Sequence, residues 1–416
     1  MNIHIIGGGI IGLSSAYYLQ NEGHNVTIID QFDFLNNCSF GNAGYVCPSH
    51  FVPLANPGII GQGLKWLLNK KSPFYIKPQL SWDLIKWVYL FYKNANYTQV
   101  NKAALPLLDI SLLSQTEYAH WAALTEFSFG YEHKGLLEIF QTENKQKYAQ
   151  QLVEKSIKLG ITDTILLNKS QLQALEPQTK IDALGAVYFK CDAHLYPNKL
   201  MHNLRQILMN KGVQFIANEP VIKFEKKNKN ITHIYTVKNE YKTDFCIIAT
   251  GAYSTKMAAA LDCSLPLMPG RGYSTTIENG DFRLNYPAIL MDHRVALTPL
   301  DFNKMRFGGT MEITRINEPP KLNRMRGILE SVKKVYPDFT FNSPRLEDFW
   351  YGFRPCSADG LPYIGKTKKW DNVVFATGHS MLGLSLGAGT GKLVKEIVQA
   401  QKSSINLDPF RVERFS

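Results

Sequence analysis

The chain has 416 residues, of which 45% are hydrophobic and 19% charged. That balance excludes a disordered or collagen-like chain, and at roughly 150 residues per domain it predicts two or three domains. Lys and Arg outnumber Asp and Glu by 46 to 35, a net charge of +11 that points to an anionic partner.

Residues 2–30 read as strand, glycine turn, helix and strand. Asn2–Ile6 is a short apolar run ending at Gly7-Gly8-Gly9. Ile10–Asn21 carries Ile10, Leu13, Ala16, Tyr17 and Leu19 at helical spacing, and Gly23 closes it. A second apolar strand, 26–29, ends at Asp30. Residues 55–128 are helical and aromatic-rich, and 135–140 reads as a strand. The alternation returns at 196–250. A helix over Pro197–Asn210, with Pro in its first turn, precedes strands at 213–217, 232–237 and 245–249. Short β runs follow at 273–277, 295–298 and 305–308. Residues 350–400 return to strand, glycine turns and a long helix over 389–399. The pattern predicts an α/β protein: a nucleotide-binding domain assembled from 1–55, 171–265 and 345–416. A mixed α+β domain, 56–170 with 266–344, is inserted into it.

Gly7-x-Gly9-x-x-Gly12 follows the first strand and opens the first helix, with Asp30 ending the next strand. The first glycine permits a tight turn and the second lets a pyrophosphate approach the backbone. The third allows close helix–strand packing, and the helix N-terminus offers N–H groups and a positive dipole end. Asp30 can accept hydrogen bonds from ribose hydroxyls. Strand, helix, second strand and acid together favour dinucleotide binding over a glycine cluster in a structural turn. Two further strands end alike, at Ala249-Thr250-Gly251 and at Ala376-Thr377-Gly378-His379. The second runs on to Gly383, Gly387, Gly389 and Gly391, where a helix start can stabilise negative charge and the glycines can serve helix–sheet packing.

With these segments the chain resembles the FAD-dependent D-amino acid oxidase superfamily, nearest to bacterial D-amino acid dehydrogenases and enzymes like D-hydroxyproline dehydrogenase. The resemblance runs nearly end to end. It includes Asn42-Ala43-Gly44 with Pro48, Pro53 and Asn56-Pro57-Gly58, Gly270-Arg-Gly-Tyr273-Ser, and Met305-Arg-Phe-Gly-Gly309-Thr-Met-Glu312. It includes Gly352-Phe-Arg354-Pro355 with Asp359-Gly360, Pro362 and Gly365, and then Thr377-Gly-His379.

The resemblance implies a two-dinucleotide-type, Rossmann-like FAD-binding domain and hydride transfer from Cα to flavin N5. It places Ile10, Ile11, Gln31, Ser39, Asn42, Ala43, Gly44, Tyr45 and Val221 at the cofactor, beside the glycines and Asp30. Thr250, Gly251, Arg354, Gly378, His379, Met381, Leu382, Gly383, Leu384 and Ser385 join them. Arg354 is expected to clamp the substrate carboxylate, a task suited to a planar guanidinium; the competing reading pairs it with Asp359 or caps a helix. His379 lies by position near the flavin or, equally, behind it, and Tyr273 and His50 complete the candidate catalytic set. Glycine-oxidising relatives place an arginine where this chain has Met381 and a tyrosine where it has Ala296. Both departures favour apolar or cyclic D-substrates, such as D-proline or a hydroxy-D-proline, over glycine or sarcosine. Alternatives are a glycine or sarcosine-type oxidase, or an FAD-binding subunit active only in a complex.

Cys38, Cys47, Cys191, Cys246, Cys263 and Cys356 contain no CxxC, so no metal site and no disulfide framework are expected, in keeping with a reducing cytoplasm. No apolar run approaches the ~20 residues of a spanning helix, and the opening residues carry no secretory pattern. No zinc-finger spacing or aromatic RNA-binding signature accompanies the lysines, which excludes nucleic acid as the expected partner. Between residues 61 and 93, Trp66, Trp82, Trp87, Phe91 and Tyr92 alternate with Lys65, Lys70, Lys71, Lys77, Lys86 and Lys93. That texture suits peripheral docking on the inner face of a membrane, and equally burial with lysines snorkelling outward. The electron acceptor (quinone, respiratory chain or O2) is left open.

Overall fold

The computed structural model describes residues 1–57, 74–77, 81–278, 282–301 and 303–415. Two sheets organise them. The first runs in the order Tyr363–Lys366, Val373–Thr377, Phe245–Ile248, Asn2–Ile6, Asn25–Ile29, Gln214–Ile216. Every pairing is parallel except that of the Tyr363–Lys366 edge. Its inner strands are buried along nearly their whole length, as expected where helices cover a parallel sheet. Ile6 pairs with both Ile29 and Ile248. Gly7, Asp30 and Ala249 therefore leave the carboxyl ends of three adjacent strands, the place where open α/β sheets bind ligands.

The second sheet begins at Trp350–Ser357 and continues through Leu267–Glu278, Lys304–Ile313, Val295–Pro299 and Ala288–Leu290. It then takes Leu136–Phe140, Gly185–Phe189 and Thr164–Asn168, while Phe74–Ile76 pairs in parallel with the end of Lys304–Ile313. The helix Leu322–Val335 covers one face with Met325, Ile328, Leu329 and Val332. A separate antiparallel meander, Val221–Lys227, Asn230–Thr236 and Glu240–Lys242, packs into the core beneath the first sheet.

Three expected boundaries move. Gly185–Phe189, assigned by sequence to the nucleotide-binding part, pairs with Leu136–Phe140, so the chain returns to the first body only after residue 189. Trp350–Ser357 pairs with Leu267–Glu278 and so belongs to the second sheet, not to the first. The helix Tyr97–Ala123 buries Tyr118 and Trp121 among core residues of the nucleotide-binding body. Boundaries drawn from composition missed these because pairing partners lie far apart in sequence.

Of the aromatic and lysine-rich segment, Lys65, Trp66, Lys70 and Lys71 lie outside the described residues. The helix Trp82–Asn94 is described. Ser81 caps it by accepting the Leu84 N–H, and Leu84, Trp87 and Phe91 form its buried face. Trp87 Nε1 donates to the Cys356 carbonyl at 2.9 Å.

Candidate active site

One continuous cavity of about 2050 Å³ runs from the glycine turn after the first strand to the second sheet. At the first end, Gly7 has φ +110°, and a methyl on it would meet the Ala249 carbonyl oxygen at 2.4 Å. Gly12 lies off the cavity, packed so that a methyl would overlap the Gly7 carbonyl oxygen. Gly9 is different. A methyl there would meet only Ser39 Oγ, at 3.6 Å, so its missing side chain leaves cavity space rather than packing space. Gly9 caps the helix with no side-chain hydrogen bond. That is the room a pyrophosphate needs at a helix N-terminus. Ser39 Oγ accepts the Ile10 N–H at 3.0 Å, fixing the turn.

Asp30 accepts from the Gly8 N–H at 2.6 Å and the Phe32 N–H at 2.9 Å. Burial raises its pKa, and these backbone donors work against that rise. Among the described residues no cation pairs with it. Ile10, Ile11, Gln31, Val221, Thr250 and Gly251 line the same end. The residues present therefore fit an adenine dinucleotide.

The second sheet supplies the cavity floor. Trp350, Ser274, Gly308, Ala296, Ile289 and Glu138 are successive cross-strand partners, and all six line the cavity. The middle of this row is nearly bare of side chains. The loop expected at the flavin is pinned above it: Ser274 Oγ donates to Gly41 O at 2.9 Å and Thr298 Oγ1 to Ala43 O at 2.7 Å. Arg306 donates to the Phe40 and Asn42 carbonyls at 2.8 and 2.6 Å. The sequence reading did not single out Arg306 or Thr298; no local pattern marks a side chain whose work is to hold a distant loop. Asn42, Ala43 and Tyr45 line the cavity, whereas Gly44 (φ +90°) and Gly378 (φ +80°) shape the backbone behind it. The Tyr45 hydroxyl lies 2.8 and 2.9 Å from the Ala288 and Leu297 carbonyls, so it anchors the loop to the sheet.

Arg354 lies on the cavity wall with Cys38 nearby, and its Nη1 donates to the Thr310 carbonyl at 2.7 Å. Asp359 is not its partner. Arg414 holds that carboxylate through Nε at 2.7 Å and Nη2 at 2.9 Å. Among the described residues no carboxylate pairs with Arg354, and neither its Nη2 nor its Nε meets an acceptor. Burial pulls its pKa down, yet a guanidinium remains charged at any physiological pH.

His379 is buried against the cavity, with Nε2 3.0 Å from Thr390 Oγ1, and burial pushes its pKa down to about 3. It is neutral and held from behind. Tyr273 is buried in the core under the helix Leu322–Val335, where its hydroxyl donates to Glu312 at 2.7 Å and accepts from the Lys321 N–H at 3.0 Å. His50 sits 3.6 Å from Glu138. Burial opposes its charge, but Glu138, with Asp192 behind, outweighs this and raises its pKa. Met381, Leu382, Gly383, Leu384 and Ser385 line the wall beside His379, and Ser385 Oγ accepts the Cys47 N–H at 3.0 Å. Among the described residues no group of three or more His, Cys, Asp or Glu side chains could hold a metal ion.

Residues 2–397 match the family described as FAD dependent oxidoreductase. The chain belongs to that family. As an FAD dependent oxidoreductase it uses FAD, which agrees with the glycine turn, Asp30 and the open space at Gly9. It is 30% identical over 428 residues to a D-amino acid dehydrogenase of Vibrio atlanticus, covering 100% of both chains. It is 31% identical over 432 residues to one of Vibrio vulnificus, covering 99% of each. Among solved structures, glycine oxidase from Geobacillus kaustophilus superposes with a TM-score of 0.78, at 19% identity over 99% of this chain and 98% of that one. That likeness speaks for the fold of this oxidoreductase.

Proposed function

We propose that the protein oxidises the Cα–N bond of D-amino acids and cyclic D-imino acids. The observation that carries this is Arg354, a half-buried cation on the cavity wall with no acidic partner among the described residues. Full-length relatives named D-amino acid dehydrogenase support it. Bound FAD supplies the acceptor for the hydride that leaves Cα. Arg354 binds the carboxylate and so sets the direction in which Cα presents its hydrogen. The floor at Gly308 and Ala296 leaves room for a side chain or ring, and the buried wall around His379 excludes water. His379 stays neutral and adds no positive charge to repel a substrate amine. Loss of hydride turns the neutral amine into an iminium, which water hydrolyses to a 2-oxo acid and ammonium, or opens when the iminium is cyclic. Anaerobic flavin bleaching tests the reading: D-proline and D-alanine should reduce the flavin faster than glycine, sarcosine or the L-isomers. Faster reduction by glycine or by an L-isomer overturns it.

We further propose that the helix Trp82–Asn94 rests on an anionic membrane surface. Trp82, Ile85, Tyr89 and Tyr92 recur along its outer face, with Trp82 85% and Tyr92 68% exposed. Val88 widens the stripe, and Lys86 and Lys93 accompany it. The inward face is spent on the core, which explains why this segment is apolar all round. Among the described residues no helix is long and apolar enough to cross a membrane, so the contact is interfacial. The protein should float with anionic phospholipid vesicles, and a Trp82→Ser, Tyr92→Ser variant should not. Equal flotation of both, or of neither, overturns the assignment.

A further inference from the structure

The strands that cradle Arg354 are out of register. Arg271 pairs with Glu312 and Tyr273 with Gly309, so Gly272 alone faces both Thr310 and Met311. This is a β-bulge, a device that re-aims groups beside active sites. Its first residue, Thr310, has φ +66°. Left-handed backbone is uncommon in any residue but glycine and is a true outlier for a β-branched one, so the surrounding structure must hold it there. The Thr310 carbonyl is the group that accepts Arg354 Nη1 at 2.7 Å. Across the bulge, a methyl on Gly272 would lie 2.1 Å from Arg354 Nη1 and 2.2 Å from both Cζ and Nη2. Such nearly equal distances put the methyl over the flat face of the guanidinium. Gly272 leaves the space in which that plane lies, and Thr310 fixes one corner of it.

From this juxtaposition we infer that Gly272 and Thr310 are positioning residues that set the orientation of the Arg354 fork for the substrate carboxylate. The inference rests on the carboxylate-binding role proposed for Arg354. Nη1 is steered by the bulge, and Nη2 and Nε are left to a ligand. A one-methyl change at Gly272 pushes against the far end of a flexible side chain, so the fold accommodates it and the fork moves. Misplacing a binding group by about an ångström costs on the order of 100-fold.

The test is a double-mutant cycle of Gly272→Ala with Arg354→Lys, read by anaerobic flavin reduction over a range of D-alanine concentrations. In the native background Gly272→Ala should retain FAD and weaken D-alanine binding by roughly 10- to 100-fold. In the Arg354→Lys background, where no planar fork remains, the same change should alter binding less than about threefold. Equal losses in both backgrounds overturn the inference. If Gly272→Ala is recovered without FAD, the Arg354→Ala background must restore FAD content, because the clashing group is gone; loss of FAD in both backgrounds also overturns it. Arg354→Lys alone reports on the proposed function separately. If it binds and is reduced like the native protein, the carboxylate role fails whatever the cycle shows.

Discussion

Two arginines in neighbouring strands, Arg271 buried and Arg354 half-buried on the cavity wall, are treated in opposite ways. Arg271 is 1% exposed and lies on Glu312, with Nε 3.0 Å and Nη2 2.9 Å from Oε2. Its Nη1 reaches the Glu318 and Pro319 carbonyls, and Arg324 takes the other oxygen of Glu312 at 2.9 Å. Arg354, whose neighbour Phe353 pairs with Arg271, has one carbonyl and no acid among the described residues. The first guanidinium is satisfied by the fold. The second has only that carbonyl from the described residues, as the proposed carboxylate role requires. What separates them is whether the protein supplies the opposite charge.

The sharpest way to break this comparison is to remove each charge in turn. Arg354→Ala leaves a substrate carboxylate unpaired, about 2–5 kcal/mol, so kcat/KM should fall roughly 30- to several-thousand-fold. Flavin content should stay native, because the dinucleotide contacts lie at the other end of the cavity. Arg354→Lys should rescue poorly, since an ammonium offers a point charge in place of a fork. Near-native reduction of yellow Arg354→Ala would make this arginine structural after all.

Glu312→Gln should do the reverse, sparing affinity for FAD while costing about 3–5 kcal/mol of stability, a drop of roughly 3–6 °C in melting temperature. Burial works to raise the Glu312 pKa, but the Tyr273 hydrogen bond and the two arginines overcome it and the net shift is downward. The acid is thus more easily ionised in the folded state. Its stabilisation is present above the ordinary glutamate range and is lost as pH falls through the lowered folded value. Thermal melts of native and Glu312→Gln protein should therefore converge on acidification, and curves that stay parallel from neutral pH into the acid range would count against the assignment.

Asp30 extends the comparison to an anion. It is half-buried at the cavity, with backbone donors and no cation among the described residues. Asp30→Ala should weaken FAD by about 1.5–3 kcal/mol, roughly 10- to 150-fold, measured by fluorescence on titrating apoprotein. A dissociation constant within threefold of native would show that the ribose is held by other groups. The smallest effect concerns His379. With its pKa near 3 it contributes no ionisation near pH 6.5, so kcat/KM should show no step there that His379→Asn removes. A step from His50 would lie above 6.5, since Glu138 and Asp192 raise it against burial. A pH profile of the two variants distinguishes these histidines.

The dinucleotide end was legible because its parts are contiguous: Gly7, Gly9, Gly12 and Asp30 fall within one strand–helix–strand unit, and strand pairing brings Ala249–Gly251 alongside. Arg354 was legible only through resemblance. Its neighbours were not legible, because Gly272 and Thr310 acquire meaning from a register shift between strands, which no one-dimensional pattern records. Tyr273 shows the opposite limit. Sequence placed it in the right strand, but a pairing with Glu312 decides where its hydroxyl goes. The segment boundaries at 171 and 345 failed for the same reason.

The first strand also sets a timetable for synthesis. Asn2–Ile6 is the interior of its sheet, bounded by Asn25–Ile29 on one side and by Phe245–Ile248 on the other. At ~5–20 residues per second a ribosome needs on the order of 10–40 s to travel between those two partners. Throughout that interval the open edge of an apolar strand has no native neighbour, and Val373–Thr377 comes later still. Such distant pairing is slow and exposes sticky edges to other chains. Chaperones that shield this edge during translation should therefore raise the share of this protein that reaches its native state.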